Sequence, residues 1–74
     1  MNKTIFSKDH RILIERLKKA REEAGLDQLD VAKKLKKSQS YVSKIESGQR
    51  RVDIVQLKEL AGIYKKDIYF FIKE

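Results

Sequence analysis

Only three residues, Lys36-Lys37-Ser38, separate two stretches whose apolar residues recur at helical spacing. Upstream, Val31, Ala32 and Leu35 form the buried side of a short helix that opens at Asp27, with Asp30 three residues on as a weak capping box. Downstream, Val42 and Ile45 mark the inward face of a second short helix, opened by Ser38 and closed by Gly48, with Tyr41 and Glu46 at its edges. Two helices joined by so tight a turn must cross steeply, and the small side chain of Ala32 lets them approach.

The rest of the chain reads in the same way. Leu13, Leu17, Ala20 and Ala24 make a stripe on a first helix from about Lys8 to Ala24, widened by Ile12 and Ile14, with Ser7 as N-cap and Gly25 as the residue that ends it. His10 falls on its polar side, as a solvated residue. Asp53 caps a fourth helix whose stripe is Ile54, Leu57, Leu60, Ala61 and Tyr64. Gly62 inside it costs about 1 kcal/mol against alanine, an expense that close packing would explain. Asp67 caps a fifth helix, Ile68 to Ile72. The fold class is all-α: a compact domain of five helices with short connections.

Composition narrows the function. A chain of 74 residues reads as one domain, 1–74, with residues 1–6 as an N-terminal arm. There is no cysteine for a disulfide or thiolate metal site, and one histidine cannot build an imidazole site, so no metal or cofactor is expected. An enzyme is the weakest reading, for want of a phosphate-cradling glycine loop or a carboxylate pair in an evident pocket. Ile5 and Phe6 make no signal-peptide core, and the longest apolar run, Ile68 to Ile72, is far too short to span a bilayer. The chain reads as cytoplasmic. Eighteen Lys and Arg against eleven Asp and Glu give a net charge of +7. That balance favours a polyanionic partner, nucleic acid before an anionic membrane. Membrane binding fares poorly because the lysines lack an exposed apolar helix face beside them. The run Lys33, Lys34, Lys36 and Lys37 reads as a solvated face.

A steep crossing of two short helices is a helix-turn-helix. An αα-hairpin in an ordinary bundle has the same spacing, so spacing alone does not decide between them. On the second of the two helices, Ser40, Ser43, Lys44 and Ser47 project away from the apolar side, and Gln39 sits at the N-terminal tip. This face is polar, hydrogen-bond capable and of a width suited to the DNA major groove.

The stretch Gly25-Leu26-Asp27-Gln28, then Val31-Ala32-Lys33-Lys34-Leu35, Ser38-Gln39-Ser40-Tyr41-Val42-Ser43-Lys44-Ile45-Glu46-Ser47-Gly48 and Arg50-Arg51, resembles the phage-repressor (Cro/cI-type, XRE-type) helix-turn-helix regulators. The resemblance runs from about Leu13 to Phe71. It implies a lambda-repressor-like five-helix fold with a helix-turn-helix formed by helices 2 and 3, binding to double-stranded DNA, and commonly a homodimer that represses transcription. The sequence departs from the family pattern at Lys36, where glycine is common because the turn needs φ > 0, at Val52, where proline is frequent, and at Lys65, where another glycine is common.

Base reading is expected from Gln39, Ser40, Ser43 and Lys44, since glutamine pairs with adenine, lysine donates to guanine and serine contacts either. Gln28, as the resemblance implies, and Gln49, Arg50 and Arg51 in the loop after helix 3 are expected on phosphates. For one of the two arginines, plain surface charge is an equal reading. Tyr41 is expected to pack half-buried, with its hydroxyl toward a phosphate. The resemblance also implies an ion pair, Arg21 with Glu46, that orients the third helix. Tyr69 and Phe70 cannot face the core together with Ile68, Phe71 and Ile72. They form a homodimer contact on one reading, and on another fold back over helix 4 or shield Ile5 and Phe6. No small-molecule ligand is expected. The competing function is an antitoxin-like or adaptor module that binds protein on the same fold.

Overall fold

Helix α1 (Lys8–Glu23) turns Ile14, Leu17 and Ala20 inward and supports three others, α3 (Gln39–Glu46), α4 (Ile54–Tyr64) and α5 (Tyr69–Ile72). Helix α2 (Gln28–Leu35) packs on α3 and α4. A computed structural model describes residues 8–73, and no strand occurs among them. Ser7, the N-cap of the first pattern, and the 1–6 arm with Ile5 and Phe6 lie outside the described residues. The core joins Leu17 of α1, Val31 of α2, Val42 of α3, Leu60 of α4 and Phe71 of α5. α2 and α3 form the helix-turn-helix.

The starts of α2, α3 and α4 are set by local hydrogen bonds. Asp27 Oδ1 accepts from the Asp30 amide at 2.8 Å, and Asp30 Oδ2 accepts from the Asp27 amide at 3.0 Å, a complete capping box at the head of α2. Ser38 Oγ accepts from the Tyr41 amide at 3.2 Å. Asp53 and Gln56 form a second capping box on α4, at 2.8 and 2.9 Å. Each such cap contributes about 1 kcal/mol. Asp67 is not the cap expected of it: the fifth helix is Tyr69–Ile72 with Ile68 as its N-cap and no side-chain cap bond, and Asp67 Oδ1 accepts from the Tyr69 amide at 2.9 Å in the turn before it.

The helix ends repeat one device with two residue types. After α1 and α3 the chain reverses at Gly25 (φ 75°) and Gly48 (φ 84°). After α2 and α4 it reverses at Lys36 (φ 60°) and Lys65 (φ 57°). All four corners close with an amide reaching back five residues: Leu26 to Arg21, Lys37 to Ala32, Gln49 to Lys44 and Lys66 to Ala61. The left-handed conformation costs a side chain about 1–2 kcal/mol, and the two lysines bear it where glycine is common.

Four expectations from spacing are corrected. Ala24, Ile54 and Ile72 belong to their stripes by periodicity but are exposed. Ala24 lies one residue past the end of α1, and Ile54 and Ile72 are terminal residues of α4 and α5. Gly62 is exposed too, and a Cβ built there meets nothing within 4 Å, so close packing is not its reason. Phe70 is half-buried: its ring meets Phe71 edge-on at 5.1 Å, and the Lys66 ammonium lies 4.7 Å from its centroid. Tyr69 is the aromatic left open, 62% exposed.

Candidate nucleic-acid interface

The inward face of α3 ends in a charge. Glu46 follows Val42 by one helical turn and is 8% exposed, the one buried charged residue among those described. Its carboxylate accepts from Arg21 Nε at 2.7 Å and Arg21 Nη2 at 3.1 Å, a two-pronged pairing of the planar guanidinium. Arg21 Nη1 donates to the Leu26 carbonyl at 3.0 Å, tying the pair to the turn before α2. A third donor completes the carboxylate: Gln28 Nε2 reaches Glu46 Oε1 at 3.0 Å. One carboxylate thus joins α1, α2 and α3. The hydrogen bond to Glu46 raises the affinity of Arg21 for its proton, against the opposing effect of burial. Burial, and then the negative charge of Glu46, hold the Tyr64 phenol well above its ordinary value, so it stays neutral.

With the inner side fixed, the outer side of α3 is left to solvent. Gln39, Ser40, Ser43 and Lys44 are all exposed and lie on adjacent turns. Ser47 is exposed but donates its hydroxyl to the Lys44 carbonyl at 3.2 Å, folding back on its own helix. Ser38 is engaged as a cap. Gly48 then turns the chain, and the amides of Gln49 and Arg50 both close on the Lys44 carbonyl, at 2.9 and 3.2 Å. Gln49, Arg50 and Arg51 emerge exposed beside the end of α3. Gln28 stands apart from this group in one respect, because its side-chain amide is already engaged with Glu46.

Tyr41, half-buried at the edge of the polar face, gathers a second set of groups. Gln56 Nε2 of α4 donates to its hydroxyl oxygen at 2.7 Å. The Arg50 guanidinium carbon lies 4.6 Å from its ring centroid and the Lys37 ammonium 5.3 Å. Sequence reasoning missed Gln56, the Gln28–Glu46 bond and the two cations on Tyr41. The two glutamine bonds join residues 18 and 15 apart in the chain, which no spacing rule announces.

Two carboxylates away from this face are held by local partners. Lys66 donates to Glu23 Oε1 at 2.6 Å and holds that carboxyl below its ordinary range. The Asp30 amide does the same for the exposed Asp27 carboxyl. Arg16 Nη1 donates to the carbonyls of Phe71, at 3.3 Å, and Lys73, which fastens α5 to α1. Among the described residues, no group of three His, Cys, Asp or Glu side chains could hold a metal ion, and no helix is long and apolar enough to cross a membrane.

A family model described as helix-turn-helix matches residues 17–71, from the middle of α1 to α5. Comparison with curated proteins and with solved structures returns no match. The matched span contains the packed α2–α3 pair, its exposed polar helix and the cationic loop that follows. The chain therefore belongs to the helix-turn-helix family of XRE-type, Cro/cI-like DNA-binding transcription regulators.

Proposed function

We propose that this chain is a cytoplasmic repressor that binds a palindromic operator as a homodimer. Helix α3 enters the major groove. Gln39, Ser40, Ser43 and Lys44 read base edges, while Gln28, Gln49, Arg50 and Arg51 hold phosphates on either side. The observation that carries this reading is the division of α3 into a locked inner face and an exposed outer face of four polar side chains, with the loop cations beside it. One such helix offers a small interface, and two-fold pairing doubles it on half-sites about 34–36 Å apart.

Tyr69 and the open edge of Phe70 form the dimer contact in this reading. The exposure of Tyr69 supports it, together with that of Ile72 on the same short helix. Selection from a random duplex pool should enrich an inverted repeat, and sedimentation should find two chains on each selected duplex. Replacing Phe70 by a charged residue should leave a folded monomer with lower operator affinity. Unchanged stoichiometry on DNA would exclude Phe70 from the contact, and a pool that enriches no sequence would exclude specific readout. Binding to an adaptor or toxin-like protein instead would lack the steep salt dependence of phosphate contacts.

A further inference from the structure

The Asp53–Gln56 capping box does more than start α4. Gln56 has one oxygen and one nitrogen at its tip, and the oxygen is taken by the Asp53 amide at 2.9 Å. Its nitrogen therefore points outward and donates to the Tyr41 hydroxyl at 2.7 Å. That bond fixes the polarity of the phenol. The oxygen is occupied as an acceptor, so the Tyr41 proton must be given to something else. The Arg50 guanidinium and the Lys37 ammonium lie against the same ring, at 4.6 and 5.3 Å from its centroid. Arg50 and Gln56 also line one open cleft with Arg51, Val52 and Asp53, whose Oδ1 accepts from the Gln56 amide at 2.8 Å.

Three donors thus gather on one ring beside the exposed face of α3: the Tyr41 hydroxyl proton, a guanidinium and an ammonium. We propose that they form a DNA-phosphate site, with the Tyr41 hydroxyl as its neutral donor and Gln56 as the positioning residue that turns that hydroxyl outward. The proposal rests on the DNA-binding reading above. A phosphodiester oxygen suits the site because it accepts hydrogen bonds and carries the negative charge that the two cations lack between them. The Tyr41 ring, held by Gln56 on one side, keeps the flexible Arg50 side chain beside the place where the phosphate would sit.

The test titrates four proteins on a specific and a scrambled duplex at several salt concentrations: the wild type, Tyr41→Phe, Gln56→Glu and the double variant. Gln56→Glu keeps the capping box, since a carboxylate also accepts from the Asp53 amide. It reverses the second bond, because a carboxylate cannot donate and instead accepts the Tyr41 proton. Tyr41→Phe should bind about tenfold more weakly, equally on specific and scrambled duplexes, with an unchanged salt slope because no cation is lost. Gln56→Glu should lose more than that in the wild-type background and markedly less in the Tyr41→Phe background, where only the repulsion of its new charge remains. Equal affinities of the wild type and Tyr41→Phe, or equal losses from Gln56→Glu in both backgrounds, would overturn the proposal. A wild type without salt-sensitive duplex binding would overturn the DNA-binding reading itself, and this site with it.

Discussion

Replacing Glu46 by glutamine removes one charge and leaves the shape almost unchanged, which isolates the electrostatic role of the carboxylate at the junction of α1, α2 and α3. The Arg21 and Glu46 side chains are 13% and 4% exposed, so the pair is largely desolvated. Breaking a buried pair from one side costs about 3–5 kcal/mol, because the remaining charge stays buried without a counter-ion. Arg21 keeps its bond to the Leu26 carbonyl and some contact with water, which places the loss near the lower end, at about 3 kcal/mol. A chain of 74 residues has a total stability of about 4–11 kcal/mol. The substitution therefore removes a large share of it, and the melting temperature should fall by roughly 12–24 °C. Glu59→Gln removes a charge from an exposed position of α4 and should shift stability by no more than about 0.5 kcal/mol. Urea and thermal unfolding followed by circular dichroism measure both. The double variant Arg21→Met/Glu46→Leu should recover part of the loss, since no buried charge is then left alone. Equal, small effects of Glu46→Gln and Glu59→Gln would refute the reasoning.

Four further outcomes follow from the geometry. Gln39→Ala and Lys44→Ala should each cost about 1–3 kcal/mol on a selected site and relax preference at one base pair; a loss equal on scrambled duplex would remove that residue from the base readers. Arg50→Ala should weaken all duplexes alike and flatten the salt slope by about one unit, read from titrations at several salt concentrations. Lys65→Gly relieves a left-handed side chain and Gly62→Ala fills open space on a helix, and each should raise the urea midpoint by the equivalent of about 0.5–1 kcal/mol; a fall in either would show that its corner is held by more than backbone preference. The Asp27 carboxyl has a lower pKa folded than unfolded, so its contribution is complete above the ordinary value of 3.8 and fades as pH falls below it. The stability gap between the wild type and Asp27→Asn should close on acidification, and a gap constant from pH 6 to pH 2 would contradict that origin.

What was legible in the sequence was what is decided within four or five residues. Asp27, Ser38 and Asp53 announce helix starts because the atoms they bind lie three residues on. The turn at Lys36 is visible as a departure from a family pattern, and its φ of 60° confirms the conformation that glycine there would favour. Periodicity failed at Ala24, Ile54 and Ile72 because it marks a direction around a helix axis and says nothing of where that helix stops. The contacts of Gln28 with Glu46 and of Gln56 with Tyr41 were not legible, since they depend on how helices cross. Each involves a glutamine, a residue whose amide suits solvent, caps and networks equally, so type and position together still leave its partner open.

The separation of the two sides of α3 has a consequence for how such a protein can change. Glu46, Val42 and Ile45 hold the helix in place, and none of them is exposed. Gln39, Ser40, Ser43 and Lys44 are exposed, and none belongs to the core. Substitutions at these four positions therefore draw little on the stability of the scaffold. Mutational drift, or a designer's library, can rewrite them together without first acquiring compensating changes elsewhere. A duplicated copy of the gene would be free to acquire a new target in few steps, while its folding remained that of the parent.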